Sequence, residues 1–162
     1  MEWISPVSTL LGAGIGIGAT LLADRIRWRR ESGERETATR RQLYAEYTAA
    51  LSRVRTALHE SAQLGGGRPV PGSEAHAREV RDGFLAPGAY EIRHQLAIIA
   101  PPEVVDAARA AFIALRTTRD RVIEGVTSDS EAYAELEAGN DTAVAELRRV
   151  MRRDLGVDRG GR

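Results

Sequence analysis

The sequence predicts an all-α protein, with an N-terminal transmembrane helix followed by an antiparallel bundle of three to four helices. Three observations carry this reading. An uncharged run from Trp3 to Ala23 switches abruptly to Arg25, Arg27, Arg29 and Arg30. Beyond it, apolar residues recur at steps of three and four, the spacing of one helix face. Alternating strand patterns are nearly absent, and helices without a sheet bury their apolar stripes against one another.

The first element is the anchor. At about 1.5 Å rise per residue, an apolar helix of this length matches a hydrocarbon core of roughly 30 Å. Glu2 precedes it and the four arginines follow, so the positive-inside rule places the N-terminus outside and the C-terminus in the cytoplasm. Trp3 and Trp28 then fall near the two interfaces. Only Ile4, Val7, Leu10, Leu11, Ile15, Ile17, Leu21 and Leu22 are strongly apolar, at about 0.3 to 0.6 kcal/mol each, which makes the anchor weak. The Met-Glu start and the direct run into arginines are unlike a cleaved signal peptide. The alternative, cleavage after Ala23, would give a secreted helical protein.

On a helical wheel Gly12, Ala13, Gly16, Ala19, Thr20 and Ala23 share one side. Gly12, Gly16, Ala19 and Ala23 are therefore the candidate packing residues of a homodimer formed through the membrane helix, since small side chains let backbones approach closely. The string from Gly14 to Ala19 also fits a dinucleotide-binding fingerprint, but no strand precedes it and no βαβ unit surrounds it. Arg25, Arg27, Arg29 and Arg30 fix topology and face lipid headgroups, at about 1 kcal/mol each against an anionic leaflet.

Past this flank, Leu43, Tyr47, Leu51, Val54 and Leu58 mark an amphipathic helix ending at Gly65-Gly66-Gly67. Gly33 weakens its connection to the anchor. Pro69 and Pro71 extend the glycines into a loop over 65–72. The polar stretch from Glu74 to Asp82 supports a helix with Glu74 and Arg78 paired, interrupted by Gly83 and by Pro87-Gly88. Tyr90, Ile92, Leu96 and Ile99 resume an apolar face that Pro101-Pro102 stops, and Pro102 suits the start of the next helix. There Val105, Ala108, Phe112, Leu115 and Val122 run toward Gly125. Ser128 or Ser130 caps a last helix with Tyr133, Leu136, Val144, Leu147, Met151 and Leu155 as its stripe. The organisation is thus an anchor with its basic flank at 1–30, a cytoplasmic bundle at 31–157 and a frayed tail at 158–162.

Composition narrows the function. Formal net charge is zero, so there is no general excess of positive charge for binding nucleic acid. All 23 basic residues are Arg, a bias that reads as genomic GC content rather than arginine chemistry. With no Cys, disulfides, thiolate metal sites and cysteine nucleophiles are excluded.

Candidate chemistry is sparse. Glu91 and His94 have the Glu-x-x-His spacing of di-iron carboxylate bundles, but one copy is insufficient, and His59 and His76 have no Glu three residues before them. No Gly-x-Ser-x-Gly turn is present. Glu135 with Glu137, and Asp120 with Glu124, are acid pairs on densely charged helices, where a solvated face is the ordinary location. Tyr44 and Tyr47 stand beside Arg40 and Arg41 as a patch for a partner or lipid headgroups, with Tyr47 also fitting the core.

Three phrases, RRQLYAEYTAALSRV at Arg40 to Val54, AIIAPPEVVDAARAAF at Ala97 to Phe112 and MRRDLGV at Met151 to Val157, resemble an uncharacterised group of small actinobacterial membrane proteins. The resemblance implies a short N-terminal anchor before an Arg- and Ala-rich cytoplasmic helical bundle. It implies no activity, cofactor or catalytic residue. The resulting expectation is a non-enzymatic single-pass membrane protein whose bundle binds or scaffolds an unknown protein partner, with no cofactor and no nucleic acid. The alternative from another class is a membrane-tethered small-molecule or metal sensor using Glu91 and His94.

Overall fold

The computed structural model describes residues 5–65 and 67–157, with side chains from Gly33 onward. Five helices follow in order: α1 (Ser5–Ala62), α2 (Glu74–Leu85), α3 (Ala89–Ile99), α4 (Pro102–Ile123) and α5 (Glu131–Asp154). No strand occurs among the described residues. The chain divides into two compact units, Met1–Thr39 and Arg40–Arg162, so the boundary falls inside α1. Among the described residues no helix is long and apolar enough to cross a membrane. The expected anchor, its packing residues Gly12, Gly16, Ala19 and Ala23, and the arginines at 25, 27, 29 and 30 lie outside the described side chains.

The second unit is a helical bundle. Its first wall is the α1 face of Leu43, Tyr44, Tyr47, Ala50, Leu51, Val54, Leu58 and Ala62, all buried. Each large apolar side chain removed from water contributes about 1.5 to 3 kcal/mol, so this stripe rather than local propensity holds the helix in place. Tyr44 belongs to that stripe. The expectation of an outward Tyr44 patch is corrected: its ring is buried and its hydroxyl donates to Asp154 Oδ2 at 2.7 Å.

Helices α1 and α5 run antiparallel, as their cross-contacts show. Arg40 pairs with Asp154 at 3.0 Å. Further along, Arg55 meets Glu137 at 3.2 Å and Asp141 at 2.5 Å. The rings of His59 and Tyr133 lie 5.7 Å apart, and the Ser128 N–H donates to the Ala62 carbonyl at 2.9 Å. Across the bundle the Tyr47 hydroxyl donates to the Ala108 carbonyl at 2.8 Å, tying α1 to α4.

Helix α2 begins where its serine directs. The Ser73 side chain accepts from the His76 N–H at 3.2 Å, satisfying one of the orphan donors of the first turn. The helix does not stop at Gly83, as its sequence suggests, but continues to Leu85. A Cβ at Gly83 would lie 3.3 Å from Ala57 Cβ, so the glycine permits close crossing of α1 and α2. Gly83→Leu should therefore cost about 2 kcal/mol by overpacking. Thermal melts check this, and an unchanged midpoint would show that the crossing is not tightly packed.

Buried His76 closes the loop between α1 and α2. Its Nδ1 accepts from the Gly72 N–H at 3.3 Å, and its Nε2 lies 3.0 Å from the Ser61 carbonyl, which can only accept. These two contacts together assign the proton to Nε2. The far side of the loop meets the α4–α5 turn: a Cβ at Gly125, whose φ is +101°, would approach Gly72 N and Pro71.

The remaining helices start at their expected signals. Gly88 is left-handed at the N-cap of α3, Pro101 and Pro102 open α4, and Ser130 caps α5 by accepting from the Tyr133 N–H at 3.2 Å. In α4 the core residue near the start is Val104, with Val105 only partly buried. In α5 Tyr133, Leu147, Val150 and Met151 are buried, whereas Leu136, Val144 and Leu155 sit at the core's margin.

Candidate interaction site

Helix α3 contributes least to the core, burying Ala89 and Leu96 while leaving Tyr90 48% and Ile98 83% exposed. Tyr90, His94 and Ile98 recur every four residues and so share one outward stripe. The His94 ring meets the Tyr90 ring edge-on at 4.6 Å, and Tyr90 in turn lies 6.1 Å from Phe112 on α4. Phe112 contacts Phe84 of α2 at 5.5 Å. The pattern links an exposed tyrosine to the core through a chain of rings, which fixes the outer ring at small entropic cost.

Arg93 stands within this aromatic group. Its guanidinium carbon lies 4.8 Å from the Phe112 ring centre and 5.4 Å from that of Tyr90, both within cation–π range. The side chain is partly buried, and its Nε is fully buried without a hydrogen-bond partner. Among the described residues no carboxylate pairs with it. Arg119 provides the contrast: it lies 4.8 Å from the Phe84 ring centre but also binds Asp120 at 2.6 Å. Sequence reading passed over Arg93 because neighbouring Glu91 and His94 carried the recognisable spacing. The available signal was Tyr90 three residues before an arginine, a separation that brings the two side chains together on a helix.

Glu91 and His94 themselves are both exposed, and no group of three or more His, Asp or Glu side chains able to hold a metal occurs among the described residues. His59 is half-buried, its ring packed against that of Tyr133. Of the acid pairs, Glu137 joins Asp141 in holding Arg55, and Glu124 pairs with Arg121 at 2.5 Å. Glu135 and Asp120 are exposed.

Hollows also lie elsewhere among the described residues. A groove of about 330 Å³ between α4 and α5 is lined by Ala114, Thr117, Arg121, Ala132, Leu136 and Gly139, together with Glu135. A smaller notch of about 60 Å³ adjoins Leu51, Ser52, Arg55, Leu115, Val144 and Asn140. The Asn140 amide is buried, donates to Thr118 Oγ1 at 2.9 Å, and leaves its Oδ1 without a partner in the protein.

Buried tyrosines predict a fold that weakens in alkali. Burial pushes the Tyr133 hydroxyl up to about 12, with Glu137 adding and Arg55 opposing. Burial likewise raises Tyr47, and burial followed by the Asp154 contact raises Tyr44. A phenol raised above its unfolded value near 10 contributes stability in full below pH 10 and loses it as pH rises through the folded value. The melting temperature should hold up to about pH 10 and then fall. Tyr133→Phe should flatten that fall, and an identical alkaline slope in the variant would contradict the assignment.

No protein-family model, curated protein or solved structure matches this chain.

Proposed function

We propose that this chain is a single-pass membrane protein whose cytoplasmic helical bundle binds a protein partner at the inner leaflet. The observation that carries the interaction half is the exposed α3 stripe of Tyr90, His94 and Ile98, with Arg93 beside it held among rings and without a carboxylate partner among the described residues. Large apolar and aromatic side chains, together with arginine, are the residue types that anchor protein interfaces. The membrane half rests on the uncharged run from Trp3 to Ala23 and the arginines after it. The layout agrees with the actinobacterial resemblance, which stands on its three sequence phrases alone. Self-association through Gly12 and Gly16 belongs to the same reading, and Gly12→Leu with Gly16→Leu should abolish crosslinking between copies.

A photo-crosslinking amino acid placed at Ile98 in cells tests the interaction. A discrete adduct in the membrane fraction, lost when the probe is moved to exposed Arg116 on α4, is expected. Equal or absent crosslinking at the two positions would remove the α3 face as an interface.

A further inference from the structure

We infer that Arg93 is the specificity-determining residue of the α3 face, and that the face takes a peptide segment carrying an Asp or Glu side chain next to an apolar one. This rests on the interaction reading above and adds the chemistry of the partner.

Arg93 carries an electrostatic imbalance. A guanidinium has five N–H donors in a rigid fork and keeps its charge throughout the physiological range. Exposed arginines satisfy those donors with water. Arg93 is partly withdrawn from water, its Nε is fully buried without a partner among the described residues, and its charge rests against the faces of Phe112 and Tyr90. The other partly buried guanidiniums of the bundle have carboxylates: Arg40 has Asp154, Arg55 has Glu137 and Asp141, and Arg119 has Asp120. Arg93 has none among the described residues.

Stacking between rings holds the fork in one orientation. Less side-chain entropy is therefore lost when an acceptor arrives, and a carboxylate supplies the planar two-oxygen acceptor that matches the fork. The surroundings select what carries that carboxylate. Tyr90 borders the site with exposed apolar surface and Ile98 adds more further along α3, so a small hydrated anion would leave that surface uncovered. An acidic side chain within an apolar segment covers both. Charge complementarity thus commits the face to an acidic, amphipathic peptide rather than to a second copy or a lipid surface.

The test pans a random peptide library against the 162-residue chain in detergent micelles. Enriched sequences should carry Asp or Glu beside Leu, Ile, Val or Phe, and a synthetic peptide of the enriched sequence should bind Arg93→Gln about tenfold more weakly or worse. Circular dichroism melts establish whether that variant keeps its fold. Ala97→Glu keeps the test decisive even if it does not, because exposed position 97 lies one turn beyond Arg93 and its carboxylate would occupy the guanidinium from within. It should abolish peptide binding while leaving the melt unchanged.

Enriched sequences without acidic residues would overturn the inference, as would unchanged affinity in Ala97→Glu. Crosslinking of a probe at Ile98 to a second copy of the chain would also overturn it, by assigning the face to that copy. A peptide that binds the α3 face without an acidic requirement would sink the role of Arg93 and leave the interaction reading standing. Absence of crosslinks from Ile98 would sink that reading itself.

Discussion

Tyr47→Ala should lower the unfolding free energy by about 4 kcal/mol, because it empties a wholly buried ring site and removes the hydroxyl that donates to the Ala108 carbonyl. Tyr47→Phe separates the two contributions. It keeps the ring and should cost about 1 kcal/mol, the net value of one buried hydrogen bond. Urea denaturation of both variants checks the pair. Equal losses would mean that the α1–α4 contact rests on the hydroxyl, whereas a loss near 1 kcal/mol for Tyr47→Ala would mean that the neighbouring side chains collapse into the space.

The second large effect is at Asp154, which stands at the C-terminal end of α5 where the helix dipole disfavours a carboxylate. It is held there by Arg40 at 3.0 Å and Tyr44 at 2.7 Å, with both ionic side chains largely shielded. Asp154→Ala should cost about 2 kcal/mol, since it removes the acceptor to which a shielded guanidinium and a buried phenol both donate. A double-mutant cycle with Tyr44→Phe isolates the coupling. Additive losses would show that the two groups act independently. This cluster fastens the end of α5 to the point where α1 enters the bundle.

Much of this architecture follows from local signals. The steps from Leu43 to Leu58, the Ser130 cap and the Pro101-Pro102 start each depend on neighbours within a turn or two, so they can be read from the string. Features that depend on distant partners could not. Gly83 looks like an interruption until Ala57 stands against it. Tyr44 looks like surface beside two arginines until Asp154, on the last helix, accepts its hydroxyl. Val104 displaces Val105 because the rotation of α4 is set by its neighbours rather than its own pattern. Arg93 was hidden for the same reason: its significance lies in the Phe112 ring of another helix and in the lack of a paired carboxylate among the described residues.

The account depends above all on the N-terminal run being retained in a bilayer with the bundle inside the cell. The chain has no cysteine, so a single exposed Gln63→Cys is the only thiol available for labelling. The protein should stay with membranes through alkaline carbonate washing, and this thiol should react with a membrane-impermeant maleimide only after the cells are opened. Release into the carbonate supernatant, or labelling in intact cells, would contradict it.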